Sequence, residues 1–175
     1  MIRYLILILL LLLLFISCTK EEIVESKYVP NTDIYTDYQL DMLNQLNAKR
    51  AEYGAGPVIP EITLTSLAKT HANYMYAVNN ISHDYFWSRY IQSEATRFGE
   101  VCAYNFQNAA SEITAFENSE SHLNCMINPS YKYCGIYKKG EYLCIDFASY
   151  KHITINKTAL KSNNKNKNIT SIEIN

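Results

Sequence analysis

The amino-terminal segment constrains the fold of this chain more than any other feature, because it separates a leader from the residues that can fold. An uninterrupted apolar run extends from Leu5 to Ile16, behind Arg3. A helix needs roughly 20 apolar residues to cross a hydrocarbon core about 30 Å thick, so this run is too short to span one. Its length and its basic flank are typical of the h-region of a signal peptide. We therefore expect an exported chain.

Cys18 follows this run directly, in the segment Phe15-Ile16-Ser17-Cys18. An apolar residue, then a small residue, then Cys resembles the bacterial lipobox, in which the thiol is acylated and the preceding peptide bond is cut. Residues 1–17 are therefore predicted to be a lipoprotein signal peptide, and residues 18–34 a lipidated Cys with a flexible polar tether. The expected location is the bacterial cell envelope, on the extracytoplasmic side of a membrane. An ordinary cleaved signal peptide and a short uncleaved anchor are the alternatives.

The remaining length fits one folded domain. The chain has 175 residues, of which 48% are hydrophobic and 19% charged, so one core of ordinary size is expected over residues 35–150. Residues 151–175 are rich in Asn and Lys and poor in large apolar side chains, which predicts a disordered tail. The net charge of -1 provides no basic field, so nucleic acid is not an expected partner.

Two amphipathic helices are predicted in the first half of this domain. Thr36-Asp37-Tyr38-Gln39 is a capping box, in which the Thr36 and Gln39 side chains satisfy backbone donors that the first helical turn leaves unpaired. Gly54 stands where a helix commonly ends in a left-handed residue. After the break at 57–60, the second helix is predicted from a stripe of residues at helical spacing, namely Leu64, Leu67, Ala68, His71, Met75 and Val78.

The second half combines helices with strands. A helical segment runs from Ser111 through Phe116 and resumes after Ser119 towards Ile127. Residues 131–137 and 141–147 flank a Lys-Gly turn and predict a β-hairpin. Helices followed by antiparallel strands predict an α+β domain in which helices cover a sheet.

Four cysteines remain if Cys18 carries lipid. An even number of cysteines in an exported chain permits disulfides, and four cysteines allow three pairings. The near-hairpin spacing of Cys134 and Cys144 favours that pair, together with Cys102 and Cys125. The alternative is a set of four reduced, buried thiols.

Six segments of the chain form an ordered set. They are Leu43–Arg50, Lys69–Met75, Ile81–Asp84 followed by Phe86 and Arg89, Phe98–Val101, Ala115–His122 with Ile127–Pro129, and Gly135 with Asp146–Phe147. In this order they resemble the segments of a known family, the CAP superfamily, whose domain is also called SCP. The resemblance covers about Tyr35 to Ser149. Val101 stands where the family has Asn, Phe116 where it has Trp, and Leu123 where it has Arg.

The resemblance implies an α-β-α sandwich with three to four helices around a central antiparallel sheet. It also implies a cleft that contains His83, Glu100 and His122, which together offer ligands suited to Zn²⁺. A structural alternative is that the three side chains form a buried hydrogen-bonded network. Ser119 occupies the position of a second Glu found in many family members, so the family's full tetrad is not expected.

Two further residues, His71 and Cys102, are assigned a core role and an alternative catalytic role, respectively. His71 lies on the apolar stripe of the second helix, where a lone His is usually a satisfied core residue. A thiol nucleophile at Cys102, activated by His122, is conceivable, although the disulfide prediction competes with it.

Three functions follow as hypotheses. The first is an envelope-anchored binding module, not an enzyme, whose partner is a protein, an apolar small molecule or an envelope component. The second is a zinc-assisted hydrolase acting on peptide or cell-wall substrates, in which His83 and His122 bind the ion and Glu100 binds it or acts as base. The third is a structural lipoprotein without a ligand.

Overall fold

The structure is a computed structural model that describes residues 35–151. The predicted signal peptide, the lipid anchor at Cys18, the tether and the tail beyond Lys151 lie outside the described residues. None of the described helices is long and apolar enough to span a membrane. In chain order the elements are α1 (Asp37–Glu52), β1 (Ile59–Pro60), α2 (Ile62–Val78), α3 (Phe86–Ser93), β2 (Arg97–Tyr104), α4 (Ala109–Glu117), α5 (Glu120–Met126), β3 (Tyr133–Lys139) and β4 (Tyr142–Ser149).

The strands form a four-stranded open sheet in the order β1-β3-β4-β2. Strand β4 pairs antiparallel with both β3 and β2, whereas the two-residue strand β1 pairs parallel with β3. The predicted α+β fold is confirmed. The expected central antiparallel sheet is present in β3, β4 and β2. The short strand β1 adds a parallel pair at the edge, where Pro60 fits because an edge strand does not need every backbone N–H for the ladder.

The predicted start and end of α1 are both present. The Thr36 side chain accepts a hydrogen bond from the backbone N–H of Gln39, and the Gln39 side chain accepts one from the backbone of Thr36. Gly54 follows the helix with φ +73°, a left-handed conformation that glycine adopts without a steric penalty. The hairpin turn at Gly140 is left-handed as well, with φ +54°.

Alternate residues of β2 and β4 point to opposite sides of the sheet, as the pleat of a strand requires. One side, here called the apolar face, places Val101, Ile145 and Phe147 in a core with α1, α4 and α5. The other side, here called the polar face, packs Cys102 and Cys144 against α2. The sheet is therefore covered on both sides, and the two sides differ in the side chains that they bury.

Two contacts fix the layers around the sheet. A Cβ at Gly135 would overlap the backbone of Leu64 and Thr65, so only glycine lets α2 lie this close to β3. On the other side, the fully buried Arg50 guanidinium donates 2.6 Å and 3.1 Å hydrogen bonds to the carbonyls of Met126 and Tyr131. Arg50 thereby ties α1 to the end of α5 and to the start of the hairpin.

Candidate functional site

The polar face has four ionisable side chains at its centre. Glu100 on β2 is opposite Asp146 on β4, and Cys102 is opposite Cys144. All four residues are buried. The two-residue spacing on each strand puts them on one face, and the antiparallel register brings the two pairs together.

Both carboxylate oxygens of Glu100 are bound to fixed donors. Oε1 accepts a 2.7 Å hydrogen bond from Nδ1 of His83, and Oε2 forms a salt bridge with the guanidinium of Arg89. Burial alone would raise the pKa of Glu100, but the His83 hydrogen bond and the Arg89 charge outweigh it and lower the pKa to about 2. Glu100 is therefore a fully ionised structural anion and a weak base.

Arg89 and His83 reach Glu100 because of the backbone between α2 and α3. Tyr85 has φ 60°, a left-handed conformation that turns the chain directly into α3. The Arg89 guanidinium also donates a 2.6 Å hydrogen bond to the carbonyl of Asp84, and the Tyr74 hydroxyl donates one of 2.7 Å to the Asp84 carboxylate. These bonds hold the loop so that His83 lies over Glu100 with about half of its side chain exposed.

His71 lies at the inner wall of the site. Its Nε2 is 2.7 Å from the carbonyl oxygen of Ser82 and 3.7 Å from Oε1 of Glu100. Both of these atoms only accept hydrogen bonds, so Nε2 carries a proton. Nδ1 is buried and has no hydrogen-bond partner among the described residues. The predicted burial of His71 is confirmed, and its Nε2 has the hydrogen-bond partner that a core residue requires.

Cys102 is the thiol at the centre of this cluster. Its thiol lies beside the side chains of Cys144, His71 and His83. A ring nitrogen of His71, a carboxylate oxygen of Glu100 and the sulfur of Cys102 lie within 4.8 Å of one another. The Cys144 hydrogen bond and then the histidines outweigh burial and lower the pKa of Cys102 to about 5, while Cys102 and Glu100 raise the pKa of His83 to about 10. The directions of these two shifts favour a thiolate–imidazolium pair at neutral pH.

The predicted disulfides are not formed, and all four cysteines of the described residues are free. The hairpin turn places Lys139 opposite Tyr142, so Cys134 is opposite Phe147 and not opposite Cys144. Cys134 belongs to the apolar face and Cys144 to the polar face, which separates their side chains. The interpretation with four reduced thiols matches this arrangement.

His122 stands beside the cluster without joining it. Its ring contacts the ring of Phe116, with 5.3 Å between the centroids. Burial and the positive charge of His83 lower the pKa of His122. No hydrogen bond from His122 to His83 or Glu100 is present within residues 35–151. The structure therefore joins two members of the predicted trio and leaves the third as a neighbour.

The predicted zinc ligand set, His83, Glu100 and His122, stays a prediction. Both carboxylate oxygens of Glu100 already accept from Arg89 and His83, which makes their remaining lone pairs less basic. His83 also uses Nδ1 for Glu100, so only its Nε2 is available to a metal.

The part that sequence analysis missed is the polar layer behind the trio. Arg89 entered only through the resemblance, Cys144 only through disulfide pairing, and Asp146 without a role. Burial and the neighbouring Glu100 raise the pKa of Asp146 well above its ordinary range. The sequence signal that could have identified this polar layer is the two-residue spacing of Glu100 with Cys102, repeated in Cys144 with Asp146.

An aromatic groove lies at the other end of β2, between α3 and the start of the hairpin. It has a volume of about 260 Å³. The rings of Phe86 and Phe98 are 5.3 Å apart, and Tyr90 stacks on Phe98 at 5.8 Å. Trp87, the single Trp of the chain, is 70% exposed at its rim. The groove is lined by Phe86, Trp87, Tyr90, Thr96, Arg97, Phe98, Asn128 and Tyr131.

Comparison with family models adds an independent observation. The model of the cysteine-rich secretory protein family, abbreviated CAP, matches residues 43–142, which is more than half of the chain. The matched range contains His71, His83, Glu100, Cys102 and His122. No curated protein sequence matches the chain.

Solved structures of bacterial proteins share the fold. An outer surface protein of Borrelia burgdorferi has 21% identity and a TM-score of 0.60, with 66% of this chain and 97% of that chain covered. An extracellular protein of Bacillus anthracis that contains an SCP domain has 17% identity and a TM-score of 0.59, covering 63% of this chain. A cysteine-rich secretory protein of Staphylococcus aureus has 14% identity and a TM-score of 0.56, covering 65%. This chain spans only 39% of the length of each of the latter two proteins.

Proposed function

The chain belongs to the cysteine-rich secretory protein family, and we propose that it is an extracytoplasmic binding module, held to a membrane by lipid on Cys18, that binds an apolar small molecule in the aromatic groove. The observation that carries this proposal is the groove itself. Large aromatic side chains are normally buried, and an exposed group of them commonly marks a binding surface. Here Trp87 in the groove lining is 70% exposed, and Tyr85, two residues before it in the chain, is 67% exposed.

The groove also favours one chemical class of ligand. Its walls are rings, which suit an apolar body, while Arg97 is the single formally charged side chain of its lining. A guanidinium at the rim of an apolar groove attracts an acidic group. We therefore expect an amphiphile with an apolar body and an anionic head, such as a fatty acid.

Metal-assisted hydrolysis, the second hypothesis from the sequence, gains less support from the contacts. Glu100 is engaged by Arg89 and His83, and its lowered pKa makes it a poor general base near neutral pH. If the binding test fails, a purely structural role without a ligand is the hypothesis that remains.

The fluorescence of Trp87 tests the proposal directly, because the chain has a single Trp. Residues 19–175 include all of the compact unit Tyr28–His152 and omit the leader. Titration of this protein with a soluble medium-chain fatty acid should shift the emission to shorter wavelengths and reach saturation. Phe86→Ala should weaken binding by on the order of 10-fold, since one wall of the groove is lost. Tyr104→Ala, which removes an exposed ring at the opposite end of β2, is the matched control and should bind normally.

An unchanged emission at saturating fatty acid, or equal weakening by Phe86→Ala and Tyr104→Ala, would contradict binding in the groove. The anchor is tested separately. The full chain should incorporate labelled acyl chains and remain with membranes, and Cys18→Ser should abolish the label. Retention of the label in Cys18→Ser would exclude Cys18 as the site of lipidation.

A further inference from the structure

We propose that Cys102 and Cys144 are a redox-active thiol pair, which a hydroperoxide oxidises to a disulfide between strands β2 and β4. The pair lies on the polar face of the sheet and does not depend on a ligand in the aromatic groove. It also differs from the two disulfides that the sequence spacing favours, because each of its cysteines has a new partner.

The register of the sheet holds the two cysteines at the separation that a disulfide needs. Cys102 is directly opposite Cys144. The backbone N–H of Asn105 donates a 3.0 Å hydrogen bond to the carbonyl of Glu141, so these two opposite residues are a hydrogen-bonded pair. The two kinds of pair alternate along an antiparallel ladder, so Cys102 and Cys144 are a non-hydrogen-bonded pair, whose Cα atoms are about 4.5 Å apart. Disulfides occur at Cα separations of about 4.4 to 6.8 Å.

The side chains of the pair are next to each other on the same face. The thiol of Cys102 lies beside that of Cys144, and both residues pack in the cluster under α2. Cys134 and Cys125 belong to the core on the apolar face, so the sheet itself separates them from the pair. Of the three pairings that four cysteines allow, the register therefore selects the one that joins Cys102 to Cys144.

The surroundings assign a different part to each sulfur. His71 and His83 lie beside Cys102, and neighbouring imidazoles favour the thiolate, which is the form that attacks an oxidant. The S–H of Cys144 instead donates to carboxylate oxygens on β2 and β4, at 3.6 Å and 3.9 Å, which favours the protonated thiol. Cys102 is therefore the attacking sulfur and Cys144 the resolving one.

Burial of the pair selects a small oxidant. Cys102 is 3% exposed, which excludes a bulky disulfide such as oxidised glutathione from its sulfur. The half-exposed His83 lies between this sulfur and solvent, so a molecule close to water in size has the shortest path. A hydroperoxide meets this requirement and oxidises thiolates in the first step of cysteine oxidation.

The reaction uses one hydroperoxide for the two thiols. The thiolate sulfur of Cys102 attacks one peroxide oxygen, the O–O bond breaks and a sulfenic acid forms. The departing hydroxide leaves as water with the proton that the Cys102 thiol gave up. The sulfur of Cys144 then attacks the sulfur of Cys102, the S–O bond breaks, and a second water leaves with the Cys144 proton. Two thiols thus lose two electrons and two protons, and hydrogen peroxide is reduced to two waters.

Peptide mapping after peroxide treatment tests the proposal. The protein is the full chain in detergent, carrying Cys18→Ser so that only the domain supplies thiols. The reduced, folded chain is treated with hydrogen peroxide and then denatured with N-ethylmaleimide, which blocks the remaining thiols. Trypsin together with a protease that cleaves after Glu places each domain cysteine in a peptide of its own. We expect peptides 101–112 and 142–151 as one species, lighter than their sum by two hydrogen atoms, which separates on reduction.

Matched variants separate the two parts of the pair. Cys144→Ala removes the resolving thiol, so dimedone, which traps sulfenic acids, should label peptide 101–112 in this variant and not in the parent chain. Cys102→Ala removes the attacking sulfur, and peptide 142–151 should then stay reduced. Cys134→Ser removes a buried thiol of the apolar face and should give the same linked species as the parent chain.

The parent chain alone decides the proposal, so no variant has to fold for the test to count. Absence of the linked species after peroxide treatment, or linkage of either cysteine to Cys125 or Cys134, would overturn it. Treatment in urea is the matched control, because the three pairings compete once the register is lost and the preference for 101–112 with 142–151 should disappear. A preference that persists in urea would show that the register does not select the pair and would also overturn the proposal.

Discussion

The two faces of the sheet differ in chemistry although they are built from the same strands. Along β2, Val101 and Ala103 enter the apolar face, whereas Glu100 and Cys102 enter the polar face. Along β4, Ile145 alternates in the same way with Cys144 and Asp146. Burial of ionisable groups is costly unless they are paired, so the polar face gives up stability that a second apolar layer would have supplied. The presence of these buried ionisable groups despite their cost in stability indicates that the polar face has a functional role.

The largest expected effect is on the apolar face. Phe147→Ala removes a fully buried ring from the core and should lower the free energy of unfolding by about 3–5 kcal/mol. Urea denaturation measures this change. A loss of less than about 1 kcal/mol would contradict the assignment of stability to this face.

On the polar face, Arg89→Met should cost about 3 kcal/mol, because Glu100 loses one of two cationic partners in a buried setting. The double variant Arg89→Met with Glu100→Leu should recover part of that loss, since the uncompensated charge is removed as well. The same denaturation experiment measures both. A double variant that is no more stable than Arg89→Met would contradict the expected recovery.

Cys144→Ala should have a smaller effect, about 1 kcal/mol, because a small side chain and two weak S–H hydrogen bonds are lost. The difference from Phe147→Ala, its near neighbour on β4, measures how unequally the two faces contribute. Equal losses for the two substitutions would remove the distinction between the faces.

The pH dependence of stability is the last prediction, and the shifted pKa values of Glu100, Cys102 and His83 contribute to it. The pKa of Glu100 is lowered to about 2, so its contribution is complete above the ordinary value of 4.5 and is lost as the pH falls. The pKa of Cys102 is lowered from 9.0 to about 5, so its contribution is lost as the pH falls through 5. The pKa of His83 is raised from 6.5 to about 10, so its contribution is lost as the pH rises through 10.

The thiolate–imidazolium pair holds one proton between about pH 5 and 10 in the folded state, and its unfolded counterpart holds one between 6.5 and 9.0. Its stabilisation is therefore constant between pH 6.5 and 9.0 and declines on either side. Melting temperature measured against pH should show this plateau, and His83→Gln should remove the alkaline decline. A maximum below pH 5 would contradict the pairing of Cys102 with His83.

Much of the fold could be predicted because its signals are local. The capping box at Thr36 and Gln39 starts α1, the stripe from Leu64 to Met75 faces the sheet, and the Lys-Gly turn closes the hairpin. Val78 is the exception on the stripe, since it is 47% exposed at the last turn of α2.

Three features, strand β2, helix α3 and the cluster around Cys102, could not be predicted from local patterns, each for a physical reason. Strand β2 is covered on both sides and carries a buried Glu100, so it shows no clean alternation of apolar and polar residues. Helix α3 starts at Tyr85 without a side-chain cap. The cluster around Cys102 depends on strand register, and no local pattern specifies which residue of β4 lies opposite a residue of β2.

The chain offers a matched pair of buried thiols that tests the division between the faces most directly, Cys102 on the polar face and Cys134 on the apolar face. We would measure the free energy of unfolding of the full chain by urea denaturation at pH 5 and at pH 8, beside Cys102→Ala and Cys134→Ala. The pKa of the Cys102 thiol is lowered to about 5, so its contribution to stability increases as the pH rises from 5 towards 9, whereas burial raises the pKa of Cys134 and keeps it protonated over this range. The account predicts that the loss of stability in Cys102→Ala is larger at pH 8 than at pH 5, and that the loss in Cys134→Ala is the same at both. The same pH dependence in both variants, or in neither, would contradict it.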